Sequence, residues 1–149
     1  MLQQHLYDVS LTWNSDRIGT MHSEVLNTSI EVATPPEFPK GMPGIWSPEH
    51  LFVAAINSCL MTTFLAIAEN FKLNFKNFES KGIGKLEMVD GKYIMSEVVL
   101  RPVVVLTNEE DREKALKVLH KSEAACLISN SVKSKIIMEP EVEVEMFAY

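Results

Sequence analysis

Cysteine, histidine and positive charge are scarce in this sequence of 149 residues, and each shortage excludes a class of protein. Two cysteines and four scattered histidines do not form the close-set Cys/His pairs of zinc sites, so neither a metal nor another cofactor is expected. A formal net charge of -6 gives no basic surface for nucleic acid or for an anionic membrane. The expected partners are a small molecule or another protein.

The segment MLQQHLYDVSLTWNSDR lacks the basic region, apolar core and small-residue cleavage site of a secretory signal, so a cytoplasmic location is expected. In a reducing compartment, two cysteines are either inert core thiols or redox-active ones. Apolar residues make up 46% of the sequence and charged residues 23%, which is typical of a folded globular protein. A chain of this length fits a single domain, residues 1–149.

The first third of the chain predicts a small antiparallel sheet. Polar and apolar residues alternate from Leu6 to Trp13 with the period of a half-buried strand, and NSDRIG follows as a turn. Two further strands are expected at Met21–Leu26 and Ser29–Thr34. They precede a loop, PPEFPKGMPG, whose four prolines and two glycines exclude regular structure.

A long apolar helix is predicted from Pro48 to about Asn70. Ser47 can accept a backbone N–H as the N-cap, and Glu49 lies in the first turn, where the helix dipole favours a carboxylate. Residues 51–68 carry no charge and just reach the length of a membrane span, but polar residues interrupt them. A helix that is apolar on nearly every face is otherwise buried, by a sheet and by a second copy of the chain. We therefore expect a homodimer and no membrane span.

The second half predicts a hairpin, a helix and a final strand. KLEMVDGKYIMSEVVLRPVVVL has a tight-turn pair at Asp90–Gly91, and Pro102 indicates an edge strand or a bulge. A capping box at residues 107–110 opens the helix, whose end directs Cys126 toward the core. The fold class predicted is α+β, with antiparallel sheets packed around the long apolar central helix. The final strand has an acidic face and an apolar face, formed by Glu141, Glu143 and Glu145 and by Val142, Val144 and Met146.

Cys59, in the middle of the long helix, is the first candidate for chemistry. Free cysteine is among the most buried residue types, so Cys59 and Cys126 could equally be packing residues. A reactive role requires a group that converts one thiol to a thiolate, and a fixed cation is the usual device. Arg17 is an available cation, although a loop arginine is most often solvated. Glu49 is most simply a partner of the helix dipole.

The stretch SPEHLFVAAINSC, in which Glu49 precedes Cys59 by ten residues, is followed much later by CLISNSV. Together they resemble the OsmC/Ohr family of osmotically induced and organic-hydroperoxide-resistance proteins. Members share a Pro-Glu-x-Leu start, a first cysteine in a long central helix and a second cysteine before a Ser-Asn segment. The resemblance covers essentially the whole chain. The position after the second cysteine, often proline in the family, is Leu127 here.

The resemblance implies a thiol-dependent peroxidase that reduces organic hydroperoxides, built as an intertwined homodimer with active sites at the subunit interface. It implies that Cys59 attacks the peroxide and that Cys126 is the resolving thiol. Arg17 would be the cation beside the thiolate, held by Glu49. An external dithiol, such as a lipoyl protein, would reduce the disulfide. The competing interpretation is a noncatalytic ligand-binding or stress-associated protein of the same fold, whose cysteines are structural.

The length of the helix constrains this site. In a straight helix Glu49 and Cys59 are separated by roughly 15 Å of rise, too far for both to contact one arginine easily. Either the helix breaks near Asn57-Ser58, or the contacts come from two chains.

Overall fold

The computed structural model describes residues 3–145, and the chain divides into a first unit, Met1–Leu51, and a second unit, Phe52–Tyr149. The described residues form seven strands and two α-helices, which confirms the α+β class. In chain order these are β1 (Ser10–Ser15), β2 (Ile18–His22), β3 (Ile30–Ala33), α1 (Pro48–Asn70), β4 (Asn77–Val89), β5 (Lys92–Leu106), α2 (Arg112–Ala125), β6 (Lys135–Met138) and β7 (Glu141–Val144), with 3₁₀ turns at Glu109–Asp111 and Ser129–Ser131.

The first unit contains the predicted antiparallel sheet, with strand order β1-β2-β3. β1 begins later than the predicted Leu6, and the position predicted for the second strand, Met21–Leu26, is wrong. The chain reverses over Asp16 and Arg17 alone, with Asp16 in the left-handed region at φ 45°, so β2 starts directly after them. The turn therefore fixes Arg17 at one end of the β1-β2 hairpin.

The start of α1 is capped as predicted. Ser47 Oγ accepts the backbone N–H of His50 at 3.1 Å and lies 2.7 Å from His50 Nδ1. Ser47 is fully buried, so water cannot replace this bond. A serine cap of this kind contributes about 1 kcal/mol to helix stability.

α1 runs unbroken to Asn70, so of the two alternatives the break near Asn57-Ser58 is excluded. The side chain of Asn57 makes two hydrogen bonds with Ser80 of β4, to its backbone carbonyl at 2.8 Å and from its hydroxyl at 2.6 Å. Ser58 Oγ donates back to the carbonyl of Ala55 at 3.3 Å. Both polar side chains are thus satisfied without opening the helix.

The second unit contains a four-stranded mixed sheet. β4 and β5 form the predicted hairpin, and Asp90 (φ 50°) and Gly91 (φ 78°) supply the two left-handed residues of its turn. The prediction of antiparallel sheets holds for this pair and for the first unit. β6 and β7 instead run parallel to β5, because the chain crosses over through α2 before it returns to the sheet.

Pro102 lies in an interior strand, so the predicted edge position is wrong. β5 pairs with β4 along one side, while on the other side β6 pairs as far as Leu100 and β7 pairs from Val103. Pro102 falls opposite the break between these two partners, where its missing N–H interrupts no ladder. The bulge in this hairpin lies elsewhere, between Lys85 and Leu86.

The cap before α2 differs in detail from the predicted one. Asn108, rather than Thr107, is the capping residue, and its side chain accepts the backbone N–H of Glu110 at 3.0 Å. A 3₁₀ turn follows, and α2 itself begins at Arg112. At the other end Cys126 is the buried C-cap residue, as predicted.

The last strand, β7, has the two predicted faces. Glu141 and Glu143 are exposed, while Val142 is buried. Met146 lies outside the described residues. β7 therefore covers one end of the core with an apolar face and presents carboxylates to solvent.

Two apolar clusters fill the second unit. Phe64 belongs to the larger one with residues of β5, α2 and β7, and Ile56 and Leu60 form the smaller one with Val98 and Leu100. One side of α1 is thus buried, whereas Ala55, Met61 and Leu65 are exposed. Within the described part of the chain, α1 is also the one helix long and apolar enough to cross a bilayer, a property that it shares with core helices of soluble proteins.

The close approach of α1 to β4 requires glycine. A Cβ atom on Gly84 would lie 2.5 Å from Val53 Cγ2 and 2.6 Å from Met95 Cε, and one on Gly82 would lie 2.9 Å from Val53 Cγ1. Real Cβ atoms do not tolerate such distances without movement of their neighbours. The two glycines therefore set the distance between the helix and the sheet.

We predict that Gly84→Ala lowers the free energy of unfolding by about 1–3 kcal/mol, because the added methyl group overpacks the contact with β-branched Val53. Denaturant titration monitored by circular dichroism measures the change. Lys81→Ala, on the exposed face of β4, is the control and should stay within about 0.5 kcal/mol of wild type. Equal stability of Gly84→Ala and wild type would contradict this account of the packing.

Candidate active site

The fold brings the two cysteines together across 67 residues of sequence. Cys59 lies half-buried in the middle of α1, and Cys126 is fully buried at the end of α2. Both are free thiols, and their side chains are within hydrogen-bonding range of each other. Ile128 packs against the cluster that contains Ile56 and Leu60, which holds the segment after α2 against α1 beside Cys59.

Four uncharged donors surround the Cys59 sulfur. They are the thiol of Cys126, the hydroxyl of Thr63 at 3.8 Å, and the backbone N–H groups of Leu127 and Ile128. Burial, the largest single influence, raises the pKa of Cys59, but the four hydrogen bonds together lower that pKa below its ordinary value. The arrangement therefore favours a thiolate at Cys59.

The pKa of Cys126 is shifted in the opposite direction, above its ordinary value. Burial is the main cause that raises its pKa, and the neighbouring Cys59 sulfur adds to the increase through its hydrogen bond and its charge. The neighbouring Ser129 acts in the other direction without cancelling the rise. Cys126 thus stays a protonated thiol that donates to Cys59.

Arg17 and Glu49, the other two predicted site residues, lie in the first unit. Arg17 is exposed in the β1-β2 turn and lines a cavity of about 500 Å³ with Trp13, Asp16 and Pro48 among others. Glu49 lies in the first turn of α1, where its Oε1 atom is buried without a hydrogen-bond partner among residues 3–145. The prediction that Arg17 lies beside Cys59, held by Glu49, stays a prediction.

The sequence analysis missed Thr63, Leu127 and Ile128 as neighbours of Cys59. Thr63 could have been found, because residues four apart face each other on a helix. The two N–H groups belong to the backbone, so no side-chain pattern could reveal them. Their only signal is that they follow Cys126 directly.

The described residues contain no group of three or more His, Cys, Asp or Glu side chains that could hold a metal ion. The two neighbouring cysteines can perform the chemistry of a thiolate with a second thiol beside it.

We predict that Cys126→Ala raises the pKa of Cys59, because it removes the donor that contributes most to lowering that pKa. Cys126→Ser, which keeps a hydroxyl donor, should leave the pKa closer to wild type. The pH dependence of iodoacetamide alkylation at Cys59, assigned by peptide mass, measures the pKa, and the wild-type midpoint should lie below the ~8.5 of a free cysteine. If alanine and serine had the same effect, the hydrogen bond between the thiols would not be the cause.

Known proteins share this sequence pattern and fold. The family model for OsmC-like protein matches residues 41–141. The Bacillus subtilis protein YmaD, itself uncharacterized, is 26% identical over 154 aligned positions that cover 98% of each chain. An OsmC-like protein of unknown function from Vibrio cholerae superposes with a TM-score of 0.81 at 25% identity, covering 92% of this chain and 99% of the other.

The fold is also that of named resistance proteins. The organic hydroperoxide resistance protein OhrB of Bacillus subtilis superposes with a TM-score of 0.68 at 20% identity, covering 93% of this chain and 100% of its own. At that identity the likeness concerns the fold alone. The match of the family model spans more than half of the chain, from before α1 to the start of β7. The chain belongs to the OsmC-like family.

Proposed function

We propose that this protein is a thiol-dependent peroxidase that reduces organic hydroperoxides. The observation that carries the proposal is the pair of cysteines with opposed pKa shifts, a lowered pKa at Cys59 and a raised pKa at Cys126, within hydrogen-bonding range. Only the thiolate is a strong nucleophile toward peroxide oxygen, so Cys59 attacks the peroxide and Cys126 acts in the second step.

In the first step the Cys59 thiolate attacks the terminal oxygen of the hydroperoxide. An S–O bond forms and the O–O bond breaks, so the sulfur is oxidised to sulfenic acid and the substrate leaves as an alkoxide. The alkoxide takes a proton from solvent and departs as the alcohol. Cys59 is the accessible member of the pair, because it is half-buried while Cys126 is fully buried.

In the second step Cys126 attacks the Cys59 sulfenic acid. An S–S bond forms, and the sulfenic oxygen leaves as water with the proton of the Cys126 thiol. An external dithiol, such as a lipoyl protein, then reduces the disulfide and is itself oxidised to a disulfide. We propose that the cycle runs in the cytoplasm, where dithiol reductants keep cysteines reduced.

An organic substrate is supported by the surface next to Cys59. Leu127, whose backbone faces the sulfur, leaves 66% of its residue surface exposed, so an apolar side chain borders the approach. Related folds include organic hydroperoxide resistance proteins, such as one from Elizabethkingia anophelis with a TM-score of 0.74 at 20% identity. An apolar border binds an alkyl or aryl group better than it binds water.

We also propose that the working unit is a homodimer in which Arg17 and Glu49 of one copy complete the site of the other. Because α1 is continuous, the roughly 15 Å of rise between Glu49 and Cys59 leaves the two-chain arrangement as the remaining alternative. Exposed apolar residues support an interface, since Leu65 is 43% exposed in α1 and Trp13 is 73% exposed in β1. In that dimer Arg17 would add a cation to the donors around Cys59.

A noncatalytic binding protein is the second candidate. The complete burial of Cys126 favours it, because a fully buried thiol also serves as a small apolar packing residue. In that case peroxide would leave both thiols reduced, so one experiment separates the two functions.

We predict that one equivalent of cumene hydroperoxide converts wild type to a Cys59–Cys126 disulfide, with a loss of two hydrogens in the intact mass and of both free thiols. Cys126→Ser should instead accumulate sulfenic or over-oxidised Cys59, and Cys59→Ser should keep its single thiol. If both thiols of the wild type stay reduced, the peroxidase proposal fails and the binding protein remains.

Hydrogen peroxide serves as the substrate control in the same experiment. It has no apolar group to contact the border of the site, so it should oxidise Cys59 more slowly than cumene hydroperoxide. Equal rates for the two peroxides would contradict the organic substrate class while leaving the thiol chemistry intact.

We predict that wild type has twice the chain mass by size-exclusion chromatography with light scattering, and that Leu65→Arg shifts it to the mass of one chain. A cation introduced into an apolar interface loses its hydration without a partner. Ala124→Arg, at an exposed position of α2, is the matched control and should keep the wild-type mass. A wild type with the mass of a single chain would contradict the dimer.

A further inference from the structure

Two lysines of α2 lie over one aromatic ring at the end of α1. The ammonium groups of Lys117 and Lys121 are 5.7 Å and 5.6 Å from the centroid of the Phe71 ring. Both lysines are exposed, and Phe71 is half-buried directly after the last residue of α1. Residues four apart on a helix share a face, so the two side chains leave α2 in the same direction. The ring thus holds two positive charges beside each other on the surface of the second unit.

Two more lysines extend this positive surface. Lys114 lies one turn before Lys117 on the same face of α2, and Lys72 follows Phe71 in the chain. Both are exposed. Among residues 3–145, no carboxylate lies within ion-pair distance of any of the four lysines. Lys72, Lys114, Lys117 and Lys121 are named here the lysine face.

The charges of the lysine face are incompletely neutralised. Like charges four residues apart on a helix repel each other, and the face of an aromatic ring attracts cations and offsets part of that repulsion. Glu113, four residues before Lys117, forms no ion pair with it in the described part of the chain. A carboxylate group from another molecule would therefore bind favourably between the lysines.

The charge of the whole chain selects the kind of partner. A formal net charge of -6 repels nucleic acid and anionic membranes, whose charge extends over the whole approaching surface. An acidic patch on a folded protein is small enough to face the lysines alone. Charge complementarity thus favours an acidic protein.

The lysine face and the cysteine pair lie along the same contact between α1 and α2. Cys59, Thr63, Ile67 and Phe71 follow each other at intervals of four residues, and all four are half-buried. Cys59 lies beside Cys126 at the end of α2, whereas Phe71 contacts lysines from earlier turns of α2. The rise from Cys59 to Phe71 is roughly 18 Å. A protein interface of about 800 Å² on each partner spans that distance.

We propose that the lysine face is the docking surface for an acidic protein that carries the dithiol reductant. The proposal rests on the proposed peroxidase function, since it names the partner of its last step. The two thiols of the docked protein give two electrons and two protons to the Cys59–Cys126 disulfide, which opens to two thiols while the partner's thiols become a disulfide. Opposite charges accelerate the encounter and orient the partner without changing the exchange at the sulfurs.

The test measures how fast a reduced lipoyl domain of net negative charge reduces the Cys59–Cys126 disulfide. Diamide forms the disulfide beforehand, so no step depends on peroxide. We expect Lys117→Glu combined with Lys121→Glu to lower the second-order rate constant about tenfold at low ionic strength. Free dihydrolipoamide supplies the same dithiol without the protein, and its rate constant should not change. Free-thiol counts in acid-quenched samples measure both rates.

Two control variants separate charge from position. Lys81→Glu combined with Lys92→Glu changes the net charge equally, at exposed positions of the β4-β5 hairpin, and should keep the wild-type rate. Lys117→Arg combined with Lys121→Arg retains both cations and should also keep it. The loss in the glutamate variant should shrink at about 0.5 M sodium chloride, because salt screens exposed charges.

An unchanged rate constant for the lipoyl domain in the folded glutamate variant would overturn the proposal. An equal loss with dihydrolipoamide would also overturn it, because the effect would then lie within the chain itself. If the glutamate variant does not fold by circular dichroism, Lys117→Gln combined with Lys121→Gln removes the same charges and is judged by the same two rates.

A binding measurement gives the same comparison without a disulfide. The dissociation constant of the reduced protein for the lipoyl domain, measured by fluorescence anisotropy, should rise about tenfold in the glutamate variant. Equal affinity of wild type and variant would contradict the docking surface. Because neither readout uses peroxide, failure of the peroxidase and failure of the lysine face are separate results.

Discussion

The packing of α1 against β4 is the constraint on which the cysteine pair depends. Gly82 and Gly84 let the helix approach the strand, and the paired hydrogen bonds between Asn57 and Ser80 fix its rotation. A helix has 3.6 residues per turn, so a fixed direction for Asn57 also fixes the direction of Cys59. Residues that take no part in the chemistry therefore determine where the thiol points. Apolar burial alone would not fix the rotation of the helix about its axis.

Burial shifts the pKa of both cysteines in the same direction, and hydrogen bonding makes the two pKa values differ. Desolvation raises the pKa of each thiol. Hydrogen bonds from Thr63, Cys126 and the turn after α2 reverse that rise at Cys59, whereas Cys126 donates its hydrogen bond to Cys59 and keeps its proton. The asymmetry arises from position, since the Cys59 sulfur in the middle of α1 faces donors of the segment after α2, whereas Cys126 is fully buried at the end of α2.

Much of this fold could be predicted from local sequence, because its determinants are local. The cap at Ser47 and the Asp90–Gly91 turn depend on residues that are neighbours in the chain. The continuity of α1 at Asn57 could not be predicted in this way, because its acceptor and donor lie in β4, 23 residues away. The backbone donors beside Cys59 were equally hidden, since no residue type marks a peptide group that faces a sulfur. The cysteines themselves were predicted from a motif, which names residues but not their surroundings.

The coupling between the two thiols also orders the proposed reaction. Before peroxide arrives, the Cys59 thiolate raises the pKa of Cys126 by accepting its hydrogen bond and by its negative charge. Conversion of Cys59 to a neutral sulfenic acid removes the charge and weakens the hydrogen bond, so the pKa of Cys126 falls although its burial is unchanged. The resolving thiol thus becomes more nucleophilic only after the attacking thiol has reacted. The same hydrogen bond therefore couples the protonation of Cys126 to the oxidation state of Cys59.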